Sequence, residues 1–456
     1  MTTTFPRSSP SALGIDARGV AAFLDALEST PDVEAHSFVL LRRGRVAAEG
    51  TWDPYRAESV HLLYSLSKSF TAAGVGIAVR EGLVDLDATV LSYFPELDAE
   101  VTDERSRRIL VRHVLAMASG HREETLERAR AVDPTNIVRG FLLLPPDEEP
   151  GSVFAYNQPC TYTLAEIVRR VSGGSLVEWL RPRLLDPLGI TDLAWKRDDQ
   201  GNELGFSGCY APVEAVAKLG QLYLQRGVWE GQRILDEDWV EAATRVQVEN
   251  PDEGNPDWSQ GYGFQFWMAR HGFRGDGAYG QFCVVLPDLD LVLALTGQSV
   301  DMQAVLDAAW DHLLPAVDAA SADASADVAL EARIAALGLP PVAGGRLPDA
   351  GAYGPLLRDG SSWRLELDVE DGHLSVPVAE GAWAVEGPLA GSAALVDDGA
   401  AVLVDVRFVE TPHLAHVRIA TDTGDAAFGW ETQPLHDGPT TLRRPVDRRA
   451  GSGHRG

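Results

Sequence analysis

One segment decides how this chain is interpreted: His61-Leu62-Leu63-Tyr64-Ser65-Leu66-Ser67-Lys68-Ser69-Phe70. It contains a Ser-x-x-Lys tetrad, Ser65 and Lys68, in a sequence with only three lysines among its 39 basic residues. Arginine stays protonated, whereas a lysine in a partly desolvated site can lose its proton and act as a base. The chain therefore has its rare titratable cation beside a serine hydroxyl, which needs such a partner to become a nucleophile.

The residues after Ser65 have the periodicity of a helix. Apolar side chains recur at intervals of four, three and four residues at Leu66, Phe70, Ala73 and Ile77. Positions i and i+3 share a helix face, so the Ser65 hydroxyl and the Lys68 amine can meet. If Ser65 begins the helix, free backbone N–H groups there favour an oxyanion. The alternative is an N-capping serine followed by a surface lysine.

Composition excludes several classes of partner. The net charge is −28 over 456 residues, and no basic cluster interrupts the acidic average. Such a chain repels phosphate backbones and anionic membranes, so neither nucleic acid nor a membrane is an expected partner. There is no apolar segment of the kind a secretory signal needs, which predicts a cytoplasmic protein.

No metal site is expected from the cysteines and histidines. The three cysteines, Cys160, Cys209 and Cys283, share no metal-ligand spacing and are interpreted as small buried residues. His413 and His416 are three residues apart on a predicted strand, where side chains at this spacing face opposite sides.

The order of the predicted elements indicates an α/β fold. Strands at both ends of residues 1–315 enclose a helical middle, which predicts one sheet completed by both ends of this region with an inserted helical lobe. Residues 316–344 are rich in Ala, Ser, Asp and Pro and are interpreted as a linker. Alternating apolar residues predict a small antiparallel β-domain at 345–440, and residues 441–456 are expected to be disordered.

A second motif, Pro150-Gly151-Ser152-Val153-Phe154-Ala155-Tyr156-Asn157-Gln158, completes a resemblance. With Ser65 and Lys68, it is similar to the serine β-lactamase and penicillin-binding-protein superfamily, in particular the class C β-lactamase-related esterases, D-aminopeptidases, nylon-oligomer hydrolases and peptide cyclases. The likeness covers about residues 15–315. It implies an antiparallel sheet flanked by helices with a helical lobe, no cofactor, and Tyr156 as the phenolate that relays the proton. Residues 345–440 resemble the lipocalin-like appendage of some members.

The chain departs from the superfamily pattern in two places. Asn157 lies one residue before the usual asparagine and Gln158 occupies that position, so either amide is a candidate for holding the substrate. The third motif is only loosely matched by residues 274–281, with no lysine or histidine in its first position. The resemblance makes the Gly277-Ala278-Tyr279 strand a source of an oxyanion-binding N–H, from Ala278 or Tyr279, together with the Ser65 N–H. The missing cation argues against recognition of a penicillin carboxylate.

These features predict a serine hydrolase that forms an acyl-enzyme at Ser65 and cleaves an ester or amide of a small-molecule or peptide substrate. The sequence has no Gly-x-Ser-x-Gly elbow, no zinc-protease motif and no phosphate-binding glycine loop, so cofactor-free chemistry is expected. The alternatives are a β-lactamase or DD-peptidase-like activity, a peptide cyclase or thioesterase, and a non-catalytic ligand-binding member. Cytoplasmic placement argues against cell-wall crosslinking and against a resistance β-lactamase.

Overall fold

The computed structural model of the chain describes residues 5–319, 323–348, 351–360 and 362–445. Most of the tail expected to be disordered, residues 446–456, lies outside them. In residues 441–445, Leu442 is buried and Arg444 forms ion pairs with Asp192 and Glu410, whereas the other residues are exposed. Among the described residues, no helix has both the length and the apolar character needed to cross a lipid bilayer.

The strands, in chain order, are Ala35–Arg42 (β1), Arg45–Thr51 (β2), His61–Leu62 (β3), Ala194–Trp195 (β4), Cys209–Ala211 (β5), Val228–Trp229 (β6), Gln232–Arg233 (β7), Trp267–Met268 (β8), Phe273–Gly277 (β9), Gln281–Leu286 (β10), Leu291–Gly297 (β11), Leu356–Asp359 (β12), Ser362–Val369 (β13), Gly372–Glu380 (β14), Ala384–Glu386 (β15), Leu389–Val396 (β16), Ala401–Phe408 (β17), His413–Ala420 (β18) and Ala426–Trp430 (β19).

The helices are Ala17–Ser29 (α1), Ser67–Arg80 (α2), Glu104–Arg107 (α3), Val111–Leu115 (α4), Leu126–Val132 (α5), Ile137–Leu142 (α6), Gln158–Ser172 (α7), Leu176–Leu180 (α8), Val213–Leu224 (α9), Glu237–Ala243 (α10), Met302–Ala308 (α11), Leu314–Ala316 (α12) and Ala324–Ile334 (α13). Short 3-10 turns lie at Ser11–Leu13, Tyr64–Leu66, Val90–Tyr93, Pro95–Leu97, Pro287–Leu289 and Asp397–Gly399, and wider π turns at Arg181–Leu185 and Ala309–Leu313.

The central sheet confirms the predicted α/β fold. Its six antiparallel strands lie in the order β2-β1-β11-β10-β9-β8, so strands from both ends of residues 1–315 complete one sheet. Side chains alternate between its faces, as a strand requires. On one face, Val39 and Leu41 pack into a first apolar core with the helical lobe. On the other face, Phe38 and Leu40 pack into a second apolar core with α1 and α11. The sheet thus separates two apolar cores.

The C-terminal strands form a second, curled sheet in the order β12-β13-β14-β16-β17-β18-β19, with β15 paired to β16. Neighbouring strands are antiparallel except for β14 and β16, which run parallel. Its interior is filled by side chains such as Val376, Val404 and Val417, which are fully buried. The chain segments before β12 and before β19 meet at Gly354 and Gly424, where a side chain on Gly354 would collide with the Gly424 carbonyl.

The segment interpreted as a linker contains helix α13, which packs against α1. Arg333 on α13 forms ion pairs with Asp25 and Glu28 on α1, and Leu330 is buried in the second core. Farther along, Arg407 on β17 forms two hydrogen bonds with the Glu34 carboxylate, at 2.7 and 2.9 Å. The C-terminal sheet is therefore fastened to the central sheet.

Strand β9 lies directly against the turn that carries Ser65. A Cβ on Gly277 would lie 2.1 Å from the Leu63 carbonyl oxygen and 3.0 Å from the Leu66 nitrogen. Real Cβ atoms do not approach backbone so closely, so only glycine permits this contact. The absence of a side chain at Gly277 therefore sets the distance between the strand and the serine.

We expect Gly277→Ala to lower the free energy of unfolding by about 1–3 kcal/mol, because the added methyl pushes β9 away from the Ser65 turn. The measurement is denaturant unfolding of the full chain. Gly429→Ala is the matched control, since Gly429 is also in a strand but has nothing within 4 Å of an added Cβ. Equal stability of the two variants would contradict the close-approach argument.

Candidate active site

Ser65 and Lys68 meet as the spacing predicts. Ser65 lies in the 3-10 turn Tyr64–Leu66, two residues before α2 begins at Ser67. The Lys68 Nζ donates hydrogen bonds to Ser65 Oγ at 3.0 Å and to the Phe206 carbonyl at 2.8 Å. Lys68 is 1% exposed. Its amine is therefore removed from water and aimed at the serine hydroxyl.

Burial of Lys68 determines its protonation. Desolvation lowers the pKa of the Lys68 ammonium from its ordinary value to about 7, and the carboxylates of Asp276 and Glu124 oppose this only in part. A group with this pKa is neutral in about half of the molecules at pH 7 and can accept a proton there. The arrangement supplies Ser65 with a base at neutral pH.

Tyr156 is the third member of this cluster. Its side chain lines the same cleft as Ser65, and Lys68 Nζ lies 4.7 Å from the centre of its ring. Burial raises the pKa of the Tyr156 hydroxyl above its ordinary value, with the Asp276 charge acting in the same direction. The resting group is therefore a neutral phenol rather than the phenolate implied by the resemblance. Trp267 stacks on its ring at 5.2 Å and fixes its plane.

A cleft of about 430 Å³ opens over Ser65 and Tyr156. Three carboxyl side chains, Glu253, Asp276 and Asp301, contribute to its wall, and no lysine or arginine is among the described residues that line it. Asp276 is buried and accepts a hydrogen bond at 3.0 Å from the equally buried Arg274. The cleft is therefore acidic.

Strand β9 ends at Gly277, and Ala278 and Tyr279 lie in the turn after it rather than in the strand expected from the resemblance. Ala278 lines the cleft together with Ser65, whereas Gly277 faces the backbone of the Ser65 turn. Tyr279 is in the left-handed region with φ 66°, and its hydroxyl donates to the Gln433 carbonyl at 2.6 Å, in the C-terminal part of the chain. Of these three residues, Ala278 is the one that borders the cleft.

The two amide residues of the second motif, Asn157 and Gln158, are not among the described residues that line the cleft. Asn157 is fully buried before α7, and its Oδ1 accepts hydrogen bonds from the Thr125 N–H at 3.0 Å and the Thr125 hydroxyl at 2.9 Å. Gln158 begins α7, and its backbone N–H donates to Glu124 at 3.2 Å. The geometry gives Asn157 a structural contact, and the substrate-holding role of either amide stays a prediction.

Sequence reasoning missed Phe206 and Glu253. Phe206 acts through its backbone carbonyl, which carries no sequence signal, and it lies between β4 and β5, far from Lys68 in the chain. Glu253 lies in a loop whose composition indicates only a turn. Tertiary structure alone brings these groups to the site.

Comparison with known proteins agrees with this geometry. The Beta-lactamase family matches residues 22–317. The 6-aminohexanoate-dimer hydrolase of Paenarthrobacter ureafaciens is 30% identical over 305 residues, which are 59% of this chain and 76% of that protein. The lovastatin esterase of Penicillium rubens is 30% identical over 170 residues, 32% of this chain and 42% of the esterase.

Among solved structures, SurE superimposes on 92% of this chain and 99% of its own, with a TM-score of 0.53 and 19% identity. At this identity the likeness concerns the fold, and it extends beyond the region of the family match. Because the family match covers well over half of the residues, and because the Ser65–Lys68 hydrogen bond lies within it, the chain belongs to the Beta-lactamase family and is a hydrolase of the serine β-lactamase and penicillin-binding-protein superfamily.

Proposed function

We propose that the protein forms an acyl-enzyme at Ser65 and cleaves an ester or amide of a small-molecule or peptide substrate. The observation that carries this proposal is the 3.0 Å hydrogen bond between Ser65 Oγ and the buried Lys68 Nζ, whose pKa lies at about 7. The relatives named above, a 6-aminohexanoate-dimer hydrolase and a lovastatin esterase, support hydrolysis of such bonds.

The reaction follows from the positions of the groups. Ser65 Oγ attacks the substrate carbonyl while its proton passes to the neutral Lys68 amine, directly or through the Tyr156 hydroxyl. The backbone N–H groups of Ser65 and Ala278 hold the oxyanion of the tetrahedral intermediate. As the intermediate collapses, the same proton returns to the leaving alcohol or amine. Water, or an amine in the case of a cyclase, then attacks the acyl-enzyme and gives its proton to the same pair. The bond between the acyl carbon and Ser65 Oγ breaks, the proton passes to Ser65 Oγ, and the product leaves.

The acidic cleft bears on the alternatives. A β-lactamase or DD-peptidase-like role requires a site that receives a substrate carboxylate, and the lining carries Glu253, Asp276 and Asp301 instead of a cation. A non-catalytic binding protein would have no need for a desolvated amine on a serine hydroxyl. The geometry therefore favours an esterase or amidase for substrates without a carboxylate near the reacting bond.

Ser65→Ala should abolish both turnover of an activated ester and labelling by a fluorophosphonate, because the attacking oxygen is removed. Labelling is measured by intact mass followed by mapping of the modified peptide. Ser152→Ala is the control, since Ser152 is an exposed serine within the second motif that does not line the described cleft. A modified peptide other than the one containing Ser65, or turnover by the Ser65→Ala variant, would contradict the assignment.

Hydrolysis is expected to accelerate as pH rises through about 7. Burial lowers the pKa of Lys68 to about 7, so below that pH the ammonium keeps its proton and cannot accept one from Ser65. Values of kcat/KM for a neutral ester should fall about tenfold per pH unit on the acidic side and become constant above about pH 8. The measurement is a pH profile at constant ionic strength.

Lysine variants supply the control for this profile. Lys68→Arg should be inactive at every pH, because a guanidinium does not deprotonate. Lys218→Arg should retain the parental profile, because Lys218 is a buried lysine that contacts Gly189 and Glu214 instead of the serine. A parental pH profile in the Lys68→Arg variant would show that another group is the base.

Glu253→Gln should improve hydrolysis of an ester that carries a carboxylate on its acyl group, relative to the uncharged ester of the same size. Removing one negative charge from the cleft wall should raise the ratio of the two kcat/KM values by roughly two- to fivefold at low salt. Glu331→Gln, an exposed residue of α13 away from the cleft, is the control. An unchanged ratio in Glu253→Gln would contradict electrostatic selection by the cleft.

A further inference from the structure

Two tyrosines flank the backbone at which the oxyanion would bind. Tyr64 immediately precedes Ser65, and Tyr279 immediately follows Ala278. Both have positive φ angles, 45° for Tyr64 and 66° for Tyr279. Bulky L-residues rarely adopt this region, and such a conformation persists only where surrounding contacts hold it in place. The contacts that hold these two residues therefore affect the direction of the neighbouring N–H groups.

Those contacts come from the C-terminal sheet and the segment that follows it. The Tyr64 hydroxyl lies 2.6 Å from Nε2 of His413, the first residue of β18, and the Tyr279 hydroxyl donates to the Gln433 carbonyl at 2.6 Å. The imidazole also lies edge-on to both tyrosine rings, with centroids 5.8 Å from Tyr64 and 5.1 Å from Tyr279. The two tyrosine rings are 5.6 Å apart. One histidine thus joins both flanking residues.

The environment of His413 fixes the direction of its hydrogen bond. The Nδ1 atom lies 2.8 Å from the Thr432 carbonyl, to which it can only donate, so in the neutral ring Nε2 accepts from the Tyr64 hydroxyl. Burial lowers the pKa of His413 to about 4, which keeps the ring neutral near pH 7. The Tyr64 oxygen in turn accepts from the Leu435 N–H at 3.5 Å.

We propose that His413 and Gln433 are positioning residues for acyl transfer. Through the Tyr64 and Tyr279 hydroxyls they hold the backbone on both sides of the reacting centre, so that the N–H groups of Ser65 and Ala278 converge on one oxyanion position. This gives the C-terminal sheet a part in the hydrolase chemistry, and it rests on the proposed function of Ser65.

The proposal predicts which kinetic constant changes. Donors that bind an oxyanion act mainly on the transition state, so a small displacement of these N–H groups lowers kcat and leaves KM nearly unchanged. A displacement well below 1 Å is sufficient for a measurable loss. A contact that serves only general stability would instead change the unfolding temperature without changing kcat at temperatures where the protein is folded.

The experiment compares full-length Tyr64→Phe, Tyr279→Phe and His413→Phe variants with the parent chain. Each keeps an aromatic ring and removes a hydrogen bond of the cluster. Tyr223→Phe is the matched control, because Tyr223 is also buried but its hydroxyl contacts Trp239 instead. The readouts are kcat and KM for an activated ester, the rate of Ser65 labelling by a fluorophosphonate, and the thermal unfolding temperature.

We expect Tyr64→Phe and Tyr279→Phe to lower kcat and the labelling rate roughly 10- to 100-fold, with KM within about twofold of the parent. Tyr223→Phe should keep the parental constants. The Tyr64→Phe/His413→Phe double variant should be no slower than His413→Phe alone, because both changes remove the same hydrogen bond.

Two results would overturn the proposal. The first is a kcat within twofold of the parent in both tyrosine variants while Ser65 still labels. The second is additive losses in the double variant. If Tyr64→Phe does not fold, Tyr279→Phe carries the same test from the other side of the cleft. Failure of the proposed function is distinguishable, because the parent itself would then give no adduct on Ser65.

Discussion

The removal of the Lys68 amine from water is the constraint on which the rest of the site depends. An ammonium in such a place is costly, and neutral partners, Ser65 Oγ and the Phe206 carbonyl, hold this one at hydrogen-bond distance. No carboxylate of the described residues lies within ion-pair distance of it. A direct ion pair would restore the ordinary pKa and remove the base. The lobe and the sheet therefore have to close around the lysine, and 12 of the 14 residues of α2 are buried accordingly.

Local patterns predict the parts of the fold that local chemistry determines, such as a hairpin where Gly44 lies between the short apolar segments 38–41 and 46–48. The turn at Arg43 and Gly44 lies between β1 and β2, and both residues adopt the positive φ angles that a tight hairpin requires. The parallel pairing of β14 with β16 could not be predicted in this way. The short strand β15 lies between them in the chain and runs antiparallel to β16. The chain therefore reverses direction twice between β14 and β16, so these two strands run parallel.

The site was predictable where side chains carry the chemistry and not where the backbone does. Ser65, Lys68 and Tyr156 could be found because their residue types and spacing are unusual. The Phe206 carbonyl could not, since every residue has one. Asn157 shows the intermediate case: its residue type fits the second motif, but its position at the start of α7 commits its oxygen to Thr125. A shift of one residue in a motif thus changes which hydrogen bonds its side chain can form.

The C-terminal sheet is also linked by hydrogen bonds to the segment that precedes the turn of Ser65. His36 Nε2 lies 2.9 Å from the Glu34 carboxylate and donates to it, and His36 Nδ1 lies 3.0 Å from His61 Nε2. Glu34 accepts both hydrogen bonds of Arg407 from the C-terminal sheet. Removing Glu34 would leave the buried Arg407 without its carboxylate partner, which is far more costly than losing a surface contact. The four residues from His61 to Tyr64 are thus held at both ends by groups linked to that sheet, and Ser65 follows directly. A movement of the C-terminal sheet would therefore be transmitted to Ser65.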